Sequence, residues 1–271
     1  MSDRVDAVKR AVLGLSRVEV AQLSEWLADD EAGRAAPQSA SEAATVAGID
    51  GCRAGWYVVV ETAGGVTGHV APDVAAALAL APGVVAIDIP IGLPDAGDRL
   101  CDHAARRALA PRRASSVFPS PIRPALGADT HAEASEARRA VDGKGMSIQA
   151  FAIMPKIDEV DRCLRGQPDD AARVFEVHPE VTFARMAGAP LAHSKKTEAG
   201  RDERLALLHG SFGDHPARLL HERPRKDVAA DDVLDAFAAL WTARRIAAGR
   251  AESLPADPPR DRFGLPMAIR V

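Results

Sequence analysis

Two stretches decide how this chain folds: TVAGIDGCRAGWYVVVETAGGVTGHVAP at 45–72 and VVAIDIPIG at 84–92. In the first, short apolar runs are separated by glycine-containing turns, which predicts three consecutive strands in an antiparallel meander. The second is apolar almost throughout and is bounded by Pro82, Gly83 and Gly92, the pattern of a strand buried on both faces. A helix over 72–80 joins the two, and a right-handed crossover then sets the 84–89 strand beside the 46–50 strand.

Downstream, helical periodicity is expected over 98–109, 130–141 and 147–165, followed by a strand, ARVFEVH, at 172–178. Further helices are expected over 180–187, 197–209 and 228–248, with the tail GLPMAIRV adding a final edge strand. This order predicts an α/β fold with a mixed central sheet flanked by helices. Upstream, apolar positions from Val5 to Leu27 recur at helical spacing, so residues 1–29 read as a helical hairpin. Residues 30–45 are small, polar and unpatterned, which reads as a linker ahead of a domain over 46–271.

Composition narrows the class. With 47% hydrophobic and 27% charged residues, the chain has ordinary globular content. It has neither an apolar run of membrane-spanning length nor a signal-peptide core, so a soluble, cytoplasmic protein without membrane contact is expected. Cys52, Cys101 and Cys163 are odd in number and widely spaced, which predicts neither a disulfide framework nor a zinc knuckle. The net charge of −4 does not by itself announce a nucleic-acid binder. A local excess of arginine between Arg99 and Arg123 does offer a face for phosphates, or else a solvated helix face and polar loop.

The chemistry rests on carboxylates in apolar surroundings. Asp50 ends the first strand and Asp88 sits between Ile87 and Ile89, where an unpaired carboxylate is costly. If the two strands are neighbours, one hard divalent cation such as Mg²⁺ or Mn²⁺ compensates both. The simpler alternatives are a turn-forming Asp50 before Gly51 and an Asp88 that caps the turn at Pro90. In DDVLDAFAALWTARR, Asp232 and Asp235 stand on one side of a helix and complete the candidate metal set; the alternative is that Asp231 and Asp232 answer the helix dipole. On that helix Val233, Phe237 and Leu240 form a bulky face, while Ala236, Ala239 and Ala243 adjoin the aspartates. The aspartates reach the site only if the alanine side lies on the sheet.

Glu176 is the expected additional catalytic carboxylate, with a cross-strand ion pair as its alternative, and Glu180 is expected to open the next helix. His178 reads as a ligand or proton shuttle, or as a structural histidine. Lys156, Lys195 and Lys196 are candidate phosphate contacts whose alternative is a plain surface role. Arg112, Arg113 and Arg123, in a proline-rich segment, are expected to position a substrate backbone.

Taken in order, GIDGCRAGW, AIDIPIGLP, RRASSVFPSPIR, SIQAFAIMPKIDEVD, FEVHPEVTF, KKTEAGRDER and DDVLDAFAALWTA resemble the family described as predicted RNase H-like nucleases, or domain of unknown function 429. The likeness covers about residues 46–271. It implies an RNase H-like core with acids on the first strand, the fourth strand and a late helix, here Asp50, Asp88 and Asp232 with Asp235. Resolvases of this type usually carry Glu on the fourth strand, where this chain has Asp88.

The expected activity is metal-dependent hydrolysis of phosphodiester bonds in nucleic acid. The alternatives are a catalytically silent interaction module on the same fold and an actin-like, ATP-binding phosphotransferase. The turn DGCRAG lacks the Asp-x-Gly-Thr/Ser pattern expected of the last group. The amino-terminal helices are expected to mediate homodimerisation or to dock a partner.

Overall fold

The protein's structure, a computed structural model, describes residues 45–271, so the hairpin expected over 1–29 and nearly all of the expected linker lie outside the described residues. The meander forms as expected. Strand β1 (Val46–Cys52) pairs antiparallel with β2 (Gly55–Thr62), and β2 pairs antiparallel with β3 (Gly65–Ala71). Helix α1 (Val74–Ala79) starts at Asp73, whose carboxylate accepts a hydrogen bond from Ala76 N at 2.8 Å. It leads into β4 (Val84–Ile87), parallel to β1 as the crossover requires.

Then come α2 (Leu100–Ala108), α3 (His131–Asp142), α4 (Ile148–Gly166), α5 (Pro168–Arg173) and β5 (Val174–Glu176), which pairs parallel with β4. Helices α6 (Pro179–Ala187), α7 (Glu198–Phe212), α8 (His215–Glu222) and α9 (Ala230–Ala247) follow. The five-stranded sheet runs β3-β2-β1-β4-β5, a mixed sheet with helices on both faces.

Three expectations change. The extended run at 84–92 forms a strand only to Ile87, with one further bond from Asp88 N to Ile49 O before Pro90, which has no N–H to donate. The expected strand at 172–178 shortens because α5 takes its first residues. The tail does not extend the main sheet as an edge strand. Strand β7 (Ile269–Arg270) pairs with β6 (Ser253–Leu254) in a small separate sheet and meets β5's end through one bridge, Val177 to Arg270.

Alternation along β1 sorts its side chains between two cores. Ala47 and Ile49 pack with Ile87, Ile157 and Val160 on the α1/α4 side. Val46 and Cys52 pack with Tyr57, Val59, Ala86 and Phe237 on the α9 side. Gly48 and Asp50 share the parity of the second set. A Cβ at Gly48 would lie 2.0 Å from the Ala236 carbonyl oxygen and 2.1 Å from Leu240 N, so α9 rests its backbone directly on β1. The alanine side of α9 therefore faces the sheet, as the aspartates required.

Gly48→Ala is expected to lower stability by at least about 1–3 kcal/mol, because the helix must lift off the strand. Gly210→Ala, inside α7 with open space around its Cβ position, should instead be neutral or stabilising by about 0.5–1 kcal/mol. Urea unfolding of both variants checks the contrast.

Candidate functional site

Strand geometry brings Asp50 and Asp88 together. The Asp88 N–H donates to the Ile49 carbonyl at 2.9 Å, one residue before Asp50, so Asp88 continues the β4 side of the ladder just past the strand end. Asp50 is 9% exposed and its Oδ1 accepts from Gly51 N at 2.8 Å, the local turn contact anticipated for it. Its carboxyl is nevertheless held well above the usual range, first by burial and then by Asp88 and Asp235. Burial, reinforced by Asp235 and opposed by Lys195, pushes Asp88 up to about 7. Asp235, 2% exposed on α9, is likewise raised by burial against the pull of Lys195. The close seat of α9 on Gly48 accounts for its presence here.

Lys195 is the cation facing all three acids. Its Nζ lies 2.7 Å from Asp235 Oδ2 and 3.7 Å from Asp231 Oδ2. Burial works against its charge, yet Asp235, Asp50 and Asp88 together hold the ammonium well above the ordinary lysine range. The loop carrying it is built to hold it. Glu203 accepts from Ala192 N and His193 N at 3.0 Å each, and the Thr197 hydroxyl donates to Ser194 O at 2.8 Å. A Cβ at Gly200 would lie 1.9 Å from that same Ser194 oxygen.

Helix α6 supplies two more groups. Glu180 is buried in its first turn, within electrostatic reach of Asp88 and Asp235, and pairs with the buried Arg204 of α7. His178 precedes the helix. Its Nε2 lies 3.4 Å from the Ser116 carbonyl, and burial lowers its pKa, which favours the neutral ring. Asp235 Oδ1, Glu180 Oε2 and His178 Nδ1 are buried with no hydrogen-bond partner among the described residues. These three lie near one set of acids, while other buried polar atoms without a partner, such as Ser120 Oγ and Ser253 Oγ, stand elsewhere in the molecule.

Other expected site residues stand elsewhere. Glu176 faces Ile87 across the β4–β5 register, which puts it on the α1/α4 side of the sheet, opposite to Asp50. There Arg99 grips both its oxygens at 2.7 Å, and Ile91 N donates to it at 2.7 Å, so it lies apart from Asp50 and Asp88, and its ion pair is with Arg99 rather than across the strands. Arg123 is committed to Asp161, through two bonds of 2.9 Å, and to Asp261. Arg113 donates to Leu191 O at 3.1 Å, and Arg112 is exposed. Lys156 donates to Gly55 O and sits 4.3 Å from the Trp56 ring centroid, clamping the β1–β2 turn. Asp232 accepts from Ala229 N at 2.8 Å and so closes the start of α9, the helix-start role weighed for it. Lys196 is exposed beside the Lys195 loop.

Among the described residues, the set of three potential metal-ligand atoms within 4.8 Å of one another is Cys101, Asp102 and Glu176. This buried cluster could hold a metal ion, but a cation already fills it. Arg99 bonds Asp102 at 2.6 Å as well as Glu176, and also donates to Ile91 O at 3.1 Å. The Cys101 thiol, pushed far up by burial, donates at 3.7 Å to Asp102. Metal binding there needs a thiolate and a displaced guanidinium. Arg99, the hub of this network, went unrecognised in the sequence; the only local signal was its i, i+3 spacing to Asp102.

Residues 48–260 match the family described as "Protein of unknown function (DUF429)". No curated protein and no solved structure matches the chain. Among the described residues no helix is long and apolar enough to cross a membrane.

The raised Asp88 carboxyl sets a pH dependence. Between its ordinary 3.8 and about 7 the folded state keeps a proton that the unfolded chain releases, so this group makes stability fall as pH rises through that window. Asp88→Asn removes the penalty. In urea unfolding with a chelator present, the variant should gain on the parent more at pH ~8 than at pH ~5, by on the order of 1–3 kcal/mol. An equal effect at both pH values would contradict the assignment.

Proposed function

The chain belongs to the DUF429 family, and from that premise we propose that it is a metal-dependent, RNase H-like nuclease whose site is formed by Asp50, Asp88 and Asp235. The observation that carries this reading is the convergence of three acids with raised pKa values, Asp50 and Asp235 buried and Asp88 half-buried, on a single facing lysine, with Asp235 Oδ1 and Glu180 Oε2 left without donors. Negative charge in excess of its protein countercharge, beside empty acceptor positions, suits a hard divalent cation. The sheet also agrees with what the family resemblance implies: a meander, then β4 and β5 parallel to β1, with acids at the end of the first strand, just past the fourth and on the last long helix.

In this reading Asp50, Asp88 and Asp235 would hold Mg²⁺ or Mn²⁺, which when bound supplies water activation and charge neutralisation at the leaving oxygen. Glu180 adds a fourth carboxylate, in the part first expected of Glu176. Its pair with Arg204 keeps one oxygen fixed and leaves Oε2 free. His178, half-buried and favoured as the neutral ring, offers its buried Nδ1 as a proton acceptor beside the acids. Lys195 balances the cluster and can meet a substrate phosphate once the acids have another cation.

A second reading, a silent interaction module, draws on the same lysine. The Lys195–Asp235 pair already satisfies part of the cluster, and the three acids are not gathered within 4.8 Å as a set. An actin-like phosphotransferase is less favoured, because the described residues carry one five-stranded sheet and, beside it, only a two-stranded one.

Two measurements separate the readings. Titration calorimetry with Mn²⁺ should show binding that Asp50→Asn and Asp235→Asn abolish. A cleavage screen over single-stranded, duplex and branched DNA and RNA should show Mn²⁺-dependent hydrolysis that the same substitutions reduce by about 10²–10⁴-fold. Absence of both carboxylate-dependent binding and cleavage would sink the nuclease reading and leave the interaction module.

A further inference from the structure

Two surface depressions adjoin beside the acidic site and share Arg201 and Ala230. The inner one, about 440 Å³, is lined by Lys195, Lys196, Thr197 and Asp231, so it opens from the very lysine that faces the acids. The outer one, about 350 Å³, is lined by Arg223, Arg225 and His221 over an apolar floor that includes Leu205 and Leu220. Each is of the size of a small-ligand pocket, about 300–1,000 Å³. Together they form a trough leading outward from Asp235 along α7 and α8 to the start of α9.

The charges of this trough are unevenly satisfied. Its permanent cations are Lys195, Lys196, Arg201, Arg223 and Arg225, set against Glu198 and Asp231. Lys195 is engaged with Asp235, and Arg201 reaches Glu198 and Asp202 only at 3.7 and 3.9 Å. Among the described residues, neither Lys196 nor Arg225 has an ion-pair partner. Arg223 donates through Nη1 to Leu220 O, while its Nε is buried with no acceptor. A row of cations with spare donors, floored by apolar side chains, is the surface that a sugar–phosphate backbone recognises. Of the arginines first expected to do this, Arg123 and Arg113 already have partners, while Arg112 is exposed outside the trough.

We propose that the trough from Lys195 through Lys196, Arg201, Arg223 and Arg225 is the path of a nucleic-acid strand's phosphodiester backbone as it leaves the acidic site. The inference rests on the nuclease reading for what happens at Asp50, Asp88 and Asp235, but not for binding itself. The backbone is held by charge along the trough.

The test measures fluorescence anisotropy of labelled DNA and RNA oligonucleotides of about 12–16 nucleotides, single-stranded and duplex, with the full chain in chelator so that no cleavage intervenes. Lys196→Glu with Arg225→Glu, both at exposed positions, should weaken binding at least about tenfold. It should also flatten the salt dependence by about 0.7 in log–log slope for each lost single-strand contact. Lys196→Arg with Arg225→Lys should retain binding, and Arg107→Glu with Arg139→Glu, exposed and outside the trough, should leave it unchanged. The DNA and RNA arms identify which backbone is preferred. No oligonucleotide binding by the parent chain, or equal weakening by the two charge reversals, overturns the proposal. Cleavage in Mn²⁺ is read in parallel. Trough-dependent binding without cleavage counts against the nuclease reading alone, whereas cleavage indifferent to the trough variants counts against the trough alone.

Discussion

Helix α9 lies on β1 with no side chain between them at Gly48, and the other features of the site follow from that seat. The approach needs glycine on the strand and alanine on the helix, because a single Cβ at Gly48 would overlap the helix backbone. Leu240 and Phe237 are fully buried as well, so the helix is enclosed on both its small and its bulky faces. One turn earlier Asp235 is carried against the ends of β1 and β4. Three acids that sequence places far apart thus come into a shared low-polarity space, where each makes the others harder to ionise.

The protein answers that charge in two different ways on the two faces of its sheet. On the α1/α4 side, Glu176 and Asp102 are closed around Arg99, with backbone donors completing the network; an ion cluster of this kind ties α2 and the segment after β4 to β5. On the α9 side a single lysine faces Asp50, Asp88 and Asp235, and acceptor atoms remain unfilled. The first cluster is already compensated by a guanidinium, whereas the second keeps acceptor atoms without donors. The trough of cations beginning at Lys195 starts from the open face.

Lys195 links the two levels. Its loop is tied down by Glu203, Thr197 and the close packing of Gly200, so the ammonium is placed by main-chain contacts as well as by attraction to the acids. Glu180 is fixed by Arg204 of the same α7 that follows this loop. Helices α6, α7 and α9 consequently meet at the site, and a buried hydroxyl contact of 3.1 Å between Thr182 and Thr242 joins α6 to α9.

What was legible in the sequence was whatever local periodicity encodes. The meander, the placement of β4 beside β1, most helix positions and the two strand-end acids, Asp50 and Asp88, follow from patterns a few residues long together with the handedness of the crossover. The alanine side of α9 was visible as the condition for Asp235. Which further acid lies near that set was not, because Glu176 and Glu180 are separated by strand parity and by the turn into α6. Only the β4–β5 register sends Glu176 to the far face while α6 brings Glu180 to the near one. The same holds for the cations: a basic run says nothing of its partners, and Asp161 and Asp261, distant in sequence, claim Arg123. Sequence determined the elements and the residues able to do chemistry; tertiary structure decided which of them face one another, since electrostatic partnership depends on distance through space rather than along the chain.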